Sequence, residues 1–135
     1  DLMSQTEDET LAKSLVAEIK LNELIDQVKK ENEFSSNQIA LGGFSQGCMI
    51  SLQTGIKRSE KINCIVGYSG RIINIKHLEN NINSKPKVIL MHGDKDEVVP
   101  LGSLLEAKDF FNKNNYFFII LYIYHNHVTN QESVC

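Results

Sequence analysis

Four short apolar runs constrain this chain more than anything else in its sequence. Residues 38–42, 62–68, 87–92 and 116–124 are each of strand length, and their apolar residues are nearly continuous. Such runs fit strands buried on both faces, as in a parallel sheet covered by helices. The intervening segments agree. From Leu11 the apolar positions Leu11, Leu15, Ile19, Leu24, Ile25 and Val28 return at roughly helical steps, which predicts an amphipathic helix over residues 11–31. Residues 46–56 predict a second helix, ending at a Lys57-Arg58 pair that suits the negative end of a helix dipole. Residues 101–112 predict a third, with Leu101, Leu104, Leu105, Ala107 and Phe111 inward. Residues 1–10 read as an acidic surface loop, and residues 71–85 as an irregular, Asn-rich excursion. The expected fold class is α/β, a mainly parallel sheet with helices on both faces, and 135 residues make one domain at most.

Composition removes whole classes of function. The net charge is −3 and no basic block exists, so nucleic acid has no electrostatic footprint to bind. The longest apolar run, residues 116–124, falls far short of the ~20 residues a membrane-spanning helix needs. Three cysteines, Cys48, Cys64 and Cys135, form no disulfide framework and suit a reducing compartment, so a cytoplasmic location is expected. Cys48 and Cys64 are expected to be small buried packing residues.

Between the first run and the second helix lies Gly42-Gly43-Phe44-Ser45-Gln46-Gly47, a G-x-S-x-G sequence on a strand-to-helix turn. A serine hydroxyl becomes a useful nucleophile only if it projects clear of the backbone toward a base. A tight turn achieves this by holding Ser45 in a strained conformation. Strand and helix then run so close that side chains two residues either side would collide, which accounts for Gly43 and Gly47. The N–H of Gln46, unpaired at the new helix's N-terminus, is aimed at developing negative charge. Gln46 is therefore the expected oxyanion donor.

In an open parallel sheet, ligands bind beyond the carboxyl ends of the strands. Three segments follow strands here: Ser45, the loop His92-Gly93-Asp94-Lys95-Asp96, and the pair His125 and His127. Ser, Asp, His is the chain order of α/β-hydrolase triads. The serine needs a base of near-neutral pKa, and the histidine needs a carboxylate to orient it and stabilise the imidazolium. His92 is expected to be a structural loop residue and His77 to be solvent-exposed. A rival constellation is a metal site. His125 and His127, two apart on a strand, share a face and with Asp94 and Asp96 make a mixed N/O donor set. That rival leaves the Ser45 turn unexplained, and neither a metal nor another cofactor is expected.

Two long stretches, Ile39-Ala40-Leu41-Gly42-Gly43-Phe44-Ser45-Gln46-Gly47 and Met91-His92-Gly93-Asp94-Lys95-Asp96-Glu97-Val98-Val99-Pro100, carry a family resemblance. With Asp1-Leu2 and Val128-Thr129-Asn130-Gln131-Glu132, they resemble the phospholipase/carboxylesterase group of α/β-hydrolases. That group contains acyl-protein thioesterases and small carboxylesterases. The resemblance implies hydrolysis of acyl esters or thioesters, with Ser45 as nucleophile, Asp96 as acid and Asp94 shaping the loop. It implies an acylated protein as substrate, or a lysophospholipid or small acyl ester. Counting forward from Tyr122 makes His127 the base, whereas counting back from Glu132 lands on Asn126, which keeps His125 as the alternative. The family is longer at the N-terminus, where a strand and a His-Gly-rich loop supply a second oxyanion donor. Residues 1–135 are accordingly expected to be the C-terminal portion of a single α/β-hydrolase domain with its N-terminal strands missing. A catalytically inactive, truncated domain is the alternative function. The family also has glycine where Cys48 stands.

Overall fold

The computed structural model describes residues 2–93 and 99–123. The elements run α1 (Leu2–Asn32), a 3-10 turn (Ser36–Gln38), β1 (Ala40–Phe44), α2 (Gln46–Lys57), β2 (Cys64–Tyr68), α3 (Ile75–Glu79), β3 (Lys87–Gly93), α4 (Leu101–Lys113) and β4 (Phe118–Ile123). The four strands form one parallel sheet in the order β1-β2-β3-β4. Phe44 pairs with Tyr68, Tyr68 with Met91 and Met91 with Leu121, so the carboxyl ends of the strands are level.

This strand order decides where the helices go. Parallel strands that always step in one direction, joined by right-handed crossovers, put every crossover on the same face. Burial along the strands agrees. Leu41, Ile65, Val88, Leu90 and His92 are buried beneath Cys48, Leu52 and Ile56 of α2 and Leu104, Ala107 and Phe111 of α4. The alternate residues face the other way, and Phe44, Ile119 and Leu121 there are 68%, 43% and 48% exposed. The sheet and one helical layer are as the sequence predicts. The described residues supply no layer for the second face.

Several local expectations need correction. α1 begins at Leu2, so most of the segment read as a surface loop is helical. Its buried side also differs. Ile19 and Leu24 are 59% and 54% exposed, while Ser14 and Ile25 are buried and Glu18 is partly so. The cause is the neighbour: Leu21, Ile25 and Val28 pack against the core, but beside them α2 presents polar side chains to α1. Gln53 Nε2 donates to Ser14 Oγ at 3.1 Å and to Glu18 Oε1 at 3.0 Å. Lys57 Nζ lies 2.9 Å from Glu18 Oε1, and Arg58 pairs with Asp26 at 2.9 Å. In α4, Leu101 and Leu105 are exposed and Phe110 turns inward instead. It joins an aromatic cluster with Phe111, Tyr116 and Phe118, in which Phe110 and Phe111 meet edge to face at 5.4 Å.

The excursion over residues 71–85 contains α3, capped by Asn74, whose side chain accepts from the His77 N–H. His77 is half-buried rather than exposed, with Nε2 2.9 Å from Lys57 Nζ. An ammonium can only donate, so this contact requires a bare imidazole nitrogen. Burial first, and then the Lys57 charge, lower the His77 pKa below 6.5, against an opposing pull from Glu18.

The crossing of β1 and α2 is the tightest in the fold. A methyl group at Gly43 would overlap the Gly47 carbonyl and the Cys48 backbone nitrogen. Gly47 differs: a methyl there would meet nothing within 4 Å. Only the first of the two glycines that were expected to be crowded is so.

Two outcomes follow for the full-length protein. Gly43→Ala should destabilise it by about 3 kcal/mol or more, because two backbones must separate. Gly47→Ala should leave stability unchanged or raise it by up to about 1 kcal/mol, since alanine suits a helix better. Urea unfolding distinguishes the two. His77 is protonated near its ordinary value in the unfolded chain and only at lower pH in the folded one. The unfolded state therefore binds more protons in that window, and stability should fall as pH drops below about 6.5. His77→Gln should flatten this slope in urea midpoints measured from roughly pH 7.5 to 5.

Candidate active site

Ser45 follows the last residue of β1 and immediately precedes α2. Its backbone is held from both sides. The Ser45 N–H donates to Tyr68 O at 2.8 Å, extending the β1–β2 ladder by one step, and Ser45 O accepts from the Met49 N–H at 3.1 Å as α2 begins. Between those two bonds the chain turns from strand to helix at one residue, and Ser45 has φ 55° and ψ −113°. A non-glycine residue there carries on the order of 1–3 kcal/mol of strain. The surrounding bonds and the Gly43 crossing impose it. Serine is a favoured helix N-cap, yet the Ser45 side chain makes no capping bond, and the residue is half-buried. Its hydroxyl is left for other partners. Gln46 opens α2, so its N–H has no acceptor within the helix and sits at the positive end of the helix dipole.

Cys48 lies one turn into α2 with no exposure, as expected of a packing residue. A side chain at Gly67 or Gly70 would overlap its sulfur. The bulk of Cys48 is thus accommodated by glycine on β2 and just after it. Burial pushes the Cys48 thiol up to about 11, so the sulfur stays protonated and unreactive. Cys64 is only partly buried. Beside Gln46, α1 and α2 enclose a cleft of about 400 Å³ with Ala17, Met49, Ile50 and Ile73 in its walls and Thr10 and Lys13 among its polar groups.

His92 occupies the carboxyl end of β3, level with Ser69 and Tyr122. It is 1% exposed, and its Nε2 lies 2.8 Å from the carbonyl oxygen of Val99. A carbonyl only accepts, so Nε2 donates. Nδ1 is buried and has no hydrogen-bond partner among the described residues. The sequence reading gave His92 a structural role but missed the Val99 partner, seven residues on.

Asp94, Asp96, His125 and His127 lie outside the described residues. In sequence they directly follow β3 and β4, whose ends stand two and three strands from Ser45, roughly 10 and 15 Å away at ordinary strand spacing. Among the described residues no three His, Cys, Asp or Glu side chains gather to hold a metal. The donors of the rival metal reading are the four residues just named. Among the described residues no helix is long and apolar enough to cross a membrane.

Comparison with known proteins gives this geometry its relatives. The family model described as phospholipase/carboxylesterase matches residues 1–134. Acyl-protein thioesterase 1 of Saccharomyces cerevisiae is 41% identical over 96 residues, covering 67% of this chain and 42% of that protein. Its namesake from Yarrowia lipolytica is 34% identical over 88 residues, covering 62% and 39%. Among solved structures, esterase PE8 superposes with a TM-score of 0.80 at 29% identity, covering 84% of this chain and 53% of its own. Arabidopsis thaliana SOBER1, at 17% identity and a TM-score of 0.77, shares the fold. The chain spans about two fifths of the length of these two thioesterases. With the whole of its described sheet and the Ser45 turn inside the matched span, the chain belongs to the phospholipase/carboxylesterase family of α/β-hydrolases.

Proposed function

We propose that the full-length protein is a serine hydrolase that cleaves acyl esters or thioesters through a covalent acyl-enzyme. The observation that carries this reading is Ser45 itself, with its left-handed backbone at the β1–α2 turn and its side chain free of any capping bond. A residue strained in this way projects its hydroxyl beyond the sheet's carboxyl edge, next to the Gln46 N–H, which has no acceptor within α2. The names of the relatives, acyl-protein thioesterase and esterase, support the same chemistry.

In the proposed mechanism Ser45 Oγ attacks the acyl carbonyl while His127 takes its proton. Asp96 orients the imidazole and stabilises its charged form. The tetrahedral oxyanion accepts a hydrogen bond from the Gln46 N–H. The intermediate collapses, the proton passes to the leaving thiol or alcohol, and an acyl ester remains on Ser45. Water, deprotonated by the same histidine, attacks that ester and releases the acid. His125 is the alternative base. The chain order of these residues and the two- and three-strand spacing of the ends of β3 and β4 from Ser45 support the triad. The substrate class is an acylated protein, with lysophospholipids and small acyl esters as the other candidates. The cleft beside Gln46 offers Ala17, Met49 and Ile50 as an apolar wall for an acyl chain.

Ser45→Ala in the full-length protein should lower hydrolysis of a p-nitrophenyl ester by at least about 10⁴-fold. A fluorophosphonate probe should add its mass to the wild type at Ser45 and not to the variant. Activity of Ser45→Ala near wild type would end the proposal. A wild-type protein that neither hydrolyses esters nor takes the probe would favour the inactive domain. Separate His125→Ala and His127→Ala variants should show the large loss only for His127.

A further inference from the structure

Ser69 repeats the construction of Ser45 one strand over. It directly follows β2, as Ser45 follows β1, and its φ of 54° matches the 55° of Ser45. Its N–H donates to Met91 O at 3.0 Å, just as the Ser45 N–H donates to Tyr68 O. Phe44 pairs with Tyr68, so the next residues, Ser45 and Ser69, stand side by side, about 5 Å apart at ordinary strand spacing. A Cβ placed on Gly70, which follows Ser69, would come within 3.3 Å of Ser45 O.

Two features of Ser69 oppose stability. A left-handed backbone suits glycine and strains serine. The residue is only 6% exposed, yet its hydroxyl has no hydrogen-bond partner among the described residues. A buried hydroxyl left unpaired destabilises a fold. Glycine at this position would relieve both. What serine adds is a spare hydrogen-bond donor beside the nucleophile.

The chemistry at Ser45 decides which atom that donor serves. Once Ser45 Oγ has bonded to the acyl carbon, that carbon carries two other polar substituents, the oxyanion and the leaving atom. In the proposed mechanism the Gln46 N–H, at the start of α2, takes the oxyanion. Ser69 flanks Ser45 on the β2 side, where it is placed for the leaving atom.

We infer that Ser69 is a further catalytic residue: its hydroxyl donates a hydrogen bond to the leaving oxygen of an ester attacked by Ser45. This rests on the proposed serine hydrolase. As the acyl C–O bond breaks, its electron pair passes to the leaving oxygen, which takes its proton from the general base. Ser69 keeps its own proton and stabilises the charge as it develops. Oxygen accepts such a bond well and sulfur poorly, so the residue favours oxyesters over thioesters.

The test compares Ser69→Gly and Ser69→Ala with wild type in the full-length protein, on ethyl butyrate, S-ethyl thiobutyrate and p-nitrophenyl butyrate. All three donate the same acyl group. Ethoxide needs stabilisation to leave, whereas ethanethiolate and p-nitrophenolate depart readily. In both variants kcat/KM for ethyl butyrate should fall about 10- to 100-fold, with less than about 3-fold change for the other two. Ser69→Gly should unfold at the same urea concentration as wild type or a higher one, because the backbone strain is gone. A merely structural role would lower all three rates together. Equal losses on the three substrates, wild-type kcat/KM on ethyl butyrate, or a wild type that cleaves only the other two refutes the inference. If Ser45→Ala is inactive in those cases, the hydrolase reading stands. If Ser45→Ala keeps wild-type activity, or the wild type cleaves none of the three, both are refuted.

Discussion

The close approach of α2 to β1 is the contact on which the rest of this structure turns. Gly43 lets the two backbones meet at the Gly47 carbonyl, and the chain must then reverse from strand to helix within one residue. That residue is Ser45, and its positive φ is the geometric result of the crossing. The same crossing sets α2 directly over β1 and β2, where Cys48, Leu52 and Ile56 close the core. Packing and reactivity thus share one cause. The hydrophobic contacts that hold α2 down also maintain the unfavourable backbone at Ser45.

A second feature is how α1 is attached. Leu21, Ile25 and Val28 pack it against the core, and a polar set, Gln53, Lys57 and Arg58, holds it to α2 alongside them. Lys57 and Glu18 are both mostly buried and form a compact pair, extended by His77 from α3. Removing one partner from such a group leaves a buried charge unmatched, which costs more than the intact pair contributes. The arrangement fixes three helices relative to one another at a single point. A purely apolar stripe would leave more freedom to slide.

Much of this was legible in the sequence because it depends on short-range pattern. All four strands appeared as continuous apolar runs, and the Ser45 turn appeared from its glycines and its place between two elements. What was misread depends on the identity of the neighbour. Ile19 and Leu24 looked inward because helical periodicity assumes an apolar partner along the whole stripe, whereas α2 gives Ser14 and Glu18 a polar partner in Gln53 and only Leu21, Ile25 and Val28 meet the core. Phe110 was missed because its partner Tyr116 comes within reach only once the chain turns back after α4 toward β4. His77 sat in an Asn-rich stretch with no local sign of its Lys57 partner twenty residues earlier. For the site, Ser45 and Gln46 lie in described structure, whereas Asp96, His125 and His127 lie outside the described residues and rest on chain order.

The sulfur seated between α2 and β2 links substitutions that are far apart in the chain. Cys48 takes the room left by Gly67 and Gly70, so the three positions share a fixed volume. A relative with glycine at the helix position has that volume to give to the sheet. Drift at one of these sites is therefore tolerated only alongside a change of opposite size at another. The helix–sheet seam beneath the nucleophile should evolve as a matched set of sizes, one member growing as another shrinks.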